Sequence, residues 1–182
     1  MPLTRRGLLI GGAVGGGLLV AWGLSGSELT ESGRLAPAIE PDEGEYAFDA
    51  WLKIAQDGMV TVAVPQLEMG QRITTLIPQI VAHELGADWR QVAVETVPPG
   101  MAYPNAVLAA RWAPLWMPLG SSLASAPDSW LAERFARAEH FSATAEGTSL
   151  AAYEGPARAA GASARAMLAM AAAARWGVVW DT

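Results

Sequence analysis

The chain has 182 residues, of which 52% are hydrophobic and 16% charged, and its net charge is −6. That acidic balance argues against a nucleic-acid partner, which needs clustered Lys and Arg to neutralise phosphates. The absence of cysteine excludes disulfides, thiolate zinc sites and Cys-ligated iron–sulfur clusters within the chain. A site built on the two histidines, His83 and His140, would need further ligands from elsewhere.

The amino terminus has the layout of an export signal. Arg5-Arg6 precede an apolar run from Gly7 to Leu24, and the small residues Ser25-Gly26-Ser27 follow. The paired arginines resemble the twin-arginine type, which carries folded proteins across the membrane. Gly11, Gly12, Gly15, Gly16 and Gly17 each lower helix propensity by about 1 kcal/mol relative to Ala, which argues against a soluble core helix. As a helix the run would span about 27 Å, slightly short of the hydrocarbon core of a bilayer. A cleaved signal and an uncleaved anchor both remain open. The implied location is the periplasm or the periplasmic face of the inner membrane. Residues 28–45 are polar, with Pro37, Pro41 and several carboxylates, and read as a linker. Residues 46–182 then form the folded body.

The body opens with a hairpin. Trp51–Ala55 and Met59–Val64 flank Gln56-Asp57-Gly58, and Val60, Val62 and Val64 alternate onto one face. Leu76, Ile77, Ile80, Val81 and Leu85 give helical periodicity over Thr74–Leu85, with Pro78 early and Gly86 placed to end it. Gln91–Val97 reads as a third strand. The order strand, strand, helix, strand predicts a compact α+β unit rather than a doubly wound sheet. Residues 101–128 show no clean period, although they carry Trp112 and Trp116. Asp128 or Ser129 is placed to cap a short helix through Arg137. Thr148–Trp176 is the longest helical candidate, Ala-rich, with Pro156 and Gly161 expected to kink or interrupt it and Gly177 to stop it.

Two short segments stand out chemically. Met69-Gly70-Gln71 lies just before the first helix, and Gly147-Thr148-Ser149 at the start of the last. In each, glycine permits close backbone approach, and a helix amino terminus offers amides to an anion. Gln71 adds an amide that both donates and accepts. Taken alone, the same residues also suit a turn and a helix cap.

Val64-Pro65-Gln66-Leu67-Glu68-Met69-Gly70-Gln71 resembles a signature of the xanthine dehydrogenase and aldehyde oxidase family. The closest type is the molybdopterin-binding subunit of isoquinoline 1-oxidoreductase beta kind. Ala82-His83-Glu84-Leu85-Gly86-Ala87-Asp88-Trp89 and Thr144-Ala145-Glu146-Gly147-Thr148-Ser149 continue the likeness, as do the Ala-rich stretches that follow. The resemblance extends over most of the chain, yet only over the opening part of such a subunit. It places glycine where this chain has Arg72 and Glu146.

The resemblance implies an amino-terminal part of a molybdenum hydroxylase that oxidises aldehydes or N-heterocycles, inactive by itself. Met69, Gly70, Gln71, Gly147, Thr148 and Ser149 would approach the molybdenum–molybdopterin cofactor. No residue is assigned to catalysis or to a metal, because the family's catalytic glutamate comes from a later region. The remainder of the molybdenum subunit and a separate iron–sulfur subunit are the implied partners. The alternative is a membrane-anchored, non-catalytic interaction module in the cell envelope.

Overall fold

The computed structural model describes residues 39–98, 100–126 and 128–180. The export segment read over 1–27 lies outside the described residues. Strands β1 (Glu45–Phe48), β2 (Leu52–Ala55), β3 (Val60–Val64) and β4 (Val92–Thr96) form one sheet in sequence order. β1–β2 and β2–β3 are antiparallel, whereas β4 runs parallel to β3. The parallel pair needs a crossover, and helix α1 (Ile73–Leu85) supplies it. The α+β expectation holds, with β1 as an added edge strand.

The hairpin register pairs Leu52 with Val62 and Ile54 with Val60. Its turn is closed by Asp57, whose Oδ1 accepts from Met59 N at 3.0 Å. Val60, Val62 and Val64 are all buried, as their alternation requires, and Leu52 packs with them. Ile39, within the stretch read as linker, is fully buried in the same core. One isolated isoleucine among polar neighbours carries no period, so the sequence does not announce it.

α1 turns its apolar stripe, Ile73, Ile77 and Val81, onto this core and packs against β3 and β4. Pro78 sits in its second turn rather than its first. The helix continues through it, although Thr74 O loses the amide that would bond it. Gly86 ends the helix in a left-handed conformation, its amide donating to Ala82 O at 2.9 Å.

Residues 101–128 hold two short helices that periodicity could not show, α2 (Ala106–Arg111) and α3 (Ala113–Trp116). Both are shorter than two turns, so no repeat has room to develop. α4 (Trp130–Ala138) follows Ser129 as expected, but the Ser129 hydroxyl donates to Leu123 O instead of capping α4. α2 and α4 pack through Ala109, Ala110, Ala132 and Ala136, and Trp116 stacks on Phe135 at a ring separation of 4.2 Å.

The last helix, α5 (Ser149–Trp176), runs 28 residues unbroken through Pro156 and Gly161, so the expected interruption does not occur. Its packing explains why. Tyr153, Ala157, Ala160, Gly161 and Ala164 form a buried stripe, and α5 lies along α1. Tertiary contact of this kind supplies more helix stability than local propensity withholds. At Gly161 the two helices lie tight together: a Cβ there would stand 2.8 Å from Val81 O. Among the described residues no helix is long and apolar enough to cross a membrane.

Candidate functional site

The sheet's single parallel pair directs the carboxyl ends of β3 and β4 to the same edge. Pro65-Gln66-Leu67 leave β3 there, Val97-Pro98 leave β4, and the segment 139–144 passes alongside. Together they line a groove of about 660 Å³. Crevices at the carboxyl ends of parallel strands are a recurrent ligand position in α/β folds, and this volume lies in the range of small-molecule sites.

A recess of about 100 Å³ adjoins it, sharing Thr144, and is lined by Met69, Gln71, Ala145, Glu146, Gly147 and Ser149. The fold therefore brings the two singled-out segments to one place, although they are far apart in sequence. Gly70 and Thr148 are not part of that lining, and Thr148 turns inward. It is fully buried, with its Oγ1 donating to Ala145 O at 2.8 Å and accepting from Asn105 Nδ2 at 3.0 Å. It fixes the loop and faces neither cavity. Gly70 (φ 96°) and Gly147 (φ 65°) hold left-handed conformations, and nothing lies within 4 Å of where a Cβ would be at either. Both leave open backbone for a ligand to approach.

The segments are joined by Gln66, a member of the signature that no local signal singles out. Its side chain is buried, with only 3% of the residue exposed, and all its amide capacity is used. Oε1 accepts from Thr144 Oγ1 at 2.9 Å and from Ser149 Oγ at 2.8 Å. Nε2 donates to Ser142 O and to Tyr153 OH. Tyr153 in turn donates to Tyr103 O at 3.1 Å, and Tyr103 OH donates to Ala50 O. Trp51 packs edge-on against Tyr103 at 5.1 Å. Burial pushes both phenols well above the usual tyrosine range, so they stay neutral. Asn105, also fully buried, completes the support: Nδ2 bonds Ala143 O at 2.9 Å, and Oδ1 caps α2 by accepting from Leu108 N. Only the tertiary structure marks these residues, because a buried amide and an exposed one look alike in sequence.

Arg72 and Glu146, the two positions where the resemblance expects glycine, both lie at positive φ, 62° and 52°. The backbone keeps the conformation that glycine accepts freely, and here two side chains occupy it. The Glu146 carboxylate is held to one side, accepting from Trp112 Nε1 at 2.7 Å and standing 3.5 Å from Arg111. The Gln71 amide folds back on its own loop, donating to Leu67 O at 2.7 Å and accepting from Met69 N at 2.6 Å. The amides at the start of α1, expected to meet an anion, are bonded by Glu68: Arg72 N at 2.9 Å and Thr74 N at 3.3 Å. Among the described residues no group of three His, Asp or Glu is placed to hold a metal ion.

The site is thus an α+β unit with an apolar groove at its parallel-strand edge and a small recess beside it where the two turns meet. Residues 14–107 match the molybdopterin cofactor-binding domain family, and the chain belongs to that family. Two curated relatives extend the likeness. Over 117 residues, 63% of this chain, it is 32% identical to the membrane-bound aldehyde dehydrogenase (pyrroloquinoline-quinone) of Gluconacetobacter polyoxogenes, covering 14% of that protein. Over 179 residues, 98% of this chain, it is 29% identical to isoquinoline 1-oxidoreductase subunit beta of Brevundimonas diminuta, covering 19% of it. The chain thus spans less than a fifth of the relatives it matches.

The residues present fit an organic cofactor along one edge. The groove offers apolar walls, and the recess offers open glycine backbone beside the Met69 side chain.

Proposed function

We propose that this chain forms one wall of the molybdopterin site of an oxidoreductase acting on aldehydes or N-heterocycles. Met69, Gly70, Gln71, Gly147 and Ser149 meet the cofactor, and Thr148 holds the second loop from behind. The observation that carries the reading is their convergence. Two turns far apart in the sequence line one recess, held together by the buried side chain of Gln66. When bound, the molybdopterin supplies the two-electron redox chemistry. The chain's own residues orient it and exclude water at its edge. No residue of this chain is assigned as catalytic acid or base in this reading; Glu68, Glu84, Glu146 and Glu154 serve bonds within the chain.

Other chains complete the site in this reading, namely the remainder of the molybdenum subunit and a separate iron–sulfur subunit. Exposed apolar side chains support such cover: Leu115 is 76%, Leu119 90% and Trp176 74% exposed. One relative is by name a subunit, and the other by name membrane-bound. The Arg5-Arg6 segment supports twin-arginine export to the periplasm or the periplasmic membrane face.

Metal analysis of protein purified from its native envelope tests the reading, with co-purifying chains identified. Molybdenum and a pterin, together with further chains, support it. A quinone in place of molybdenum would move the chain toward the chemistry in the first relative's name. A purified chain with neither cofactor nor partner would leave the anchored interaction module.

A further inference from the structure

Glu68 stands immediately before the first turn, and its carboxylate reaches forward over it. One oxygen accepts from Gly70 N at 2.8 Å and Arg72 N at 2.9 Å. The other accepts from Thr74 N at 3.3 Å and Thr74 Oγ1 at 2.9 Å. The first amides of an α-helix have no partners within the helix, which is why helix amino termini attract ligand anions. Here a side chain of the same loop takes two amides at this end, Arg72 N and Thr74 N. Those backbone donors, Arg72 N foremost, hold the Glu68 carboxyl below the usual carboxylate range, so it is an anion at neutral pH. Inside the same loop the Gln71 amide bonds Leu67 O and Met69 N. Outward lie the Met69 side chain, with the residue 67% exposed, and the open side of Gly70, with Leu67 and Arg72 also exposed beside them.

We propose that Glu68 is the positioning residue of this loop. Its carboxylate is the resident anion at the amino end of α1, and it fixes Met69 and Gly70 as the surface a cofactor meets. A cofactor's phosphate would then find Arg72 N and Thr74 N already taken. This last step rests on the proposed cofactor-facing role of the loop, whereas the resident-anion role concerns the chain alone.

The test uses the full chain without cofactor, with inorganic pyrophosphate as the probe and amide NMR with hydrogen exchange as the readout. In the wild type, pyrophosphate should leave the Gly70, Arg72 and Thr74 amides unmoved. In Glu68→Ala, exchange at these amides should rise about tenfold, as expected for the loss of one charge-assisted bond each, while the middle of α1 keeps its protection. Pyrophosphate or acetate should then shift the vacated amides and slow their exchange again. A side chain that merely packed would show no such rescue. Glu68→Gln, which keeps an acceptor but not the charge, should exchange at an intermediate rate and carries the test if Glu68→Ala does not fold. Pyrophosphate shifting the wild-type amides would overturn the proposal, as would unchanged protection or absent anion rescue in Glu68→Ala. Molybdenum content of the native protein is measured separately, so failure of the cofactor reading leaves a different signature from failure of the Glu68 role.

Discussion

The crossing of α5 over α1 can be tested with a single methyl group. A Cβ on Gly161 would stand 2.8 Å from Val81 O and 3.0 Å from Glu84 Cβ. Val81 O is main chain within α1, so it cannot rotate aside, and one helix must move by several tenths of an ångström. Overpacking of this kind costs about 1–3 kcal/mol. Alanine in place of glycine inside a helix gains about 1 kcal/mol. Gly161→Ala should therefore lower stability by about 0–2 kcal/mol, the difference of those two terms. Gly161→Val, larger and β-branched, should lower it further. Ala159→Gly, exposed and two residues away, calibrates the propensity term: it should cost about 1 kcal/mol. Urea unfolding followed by tryptophan fluorescence gives the comparison, with midpoints read at constant slope. A gain of about 1 kcal/mol in Gly161→Ala would show propensity acting alone and refute the close crossing. The result also bears on the site, because α5 carries Ser149 and Tyr153, both bonded to Gln66.

Arg72→Gly should raise stability by about 1 kcal/mol in the same assay, since it relieves a left-handed residue. Glu146→Gly gains the same relief but loses the Trp112 bond and the Arg111 contact, so its net change should be close to zero. Equal gains in both would mean that the Glu146 carboxylate is not held. Gln66→Met should cost about 2–4 kcal/mol, because Thr144, Ser149 and Tyr153 hydroxyls and Ser142 O lose a buried partner together; a near-neutral result would contradict the network. Lys53, buried at 5% exposure, bonds Glu45 at 2.9 Å and Glu95 at 3.0 Å. Its pKa is raised above the ordinary 10.5, by Glu45 first and then Glu95. Its contribution is therefore complete below pH 10.5 and lost as pH rises through the raised value. Melting temperature measured against pH should fall on that alkaline side in the wild type, and Lys53→Met should flatten the fall. An unchanged alkaline limb in Lys53→Met would remove Lys53 as its cause.

The elements with strong local signals were legible. The Asp57-Gly58 turn, the valine alternation and the α1 stripe each rest on contacts between residues near in sequence. β1, α2 and α3 were not, because strands and helices of four to six residues carry too few positions to show a period. Pro156 and Gly161 were read as breakers of the last helix, and locally they are. The small stripe from Ala157 to Ala164 against α1 outweighs them, a gain that no window along the chain contains.

The six singled-out site residues show the same division. Glycine at positions 70 and 147 was readable as backbone freedom, and the structure gives both a positive φ. The inward turn of Thr148, the folded-back amide of Gln71 and the occupation of the α1 amides by Glu68 depend on partners that only the folded loop supplies. By itself the sequence determined the class of fold, the hairpin, the long helices and the two glycine turns, because φ/ψ preference and hydrophobic period act within a few residues. The tertiary structure alone decided that the turns meet, that Gln66 and Thr144 join them, and that a groove opens beside them. Those outcomes come from pairing β3 with β4 in parallel and burying polar groups that must then find partners across the chain.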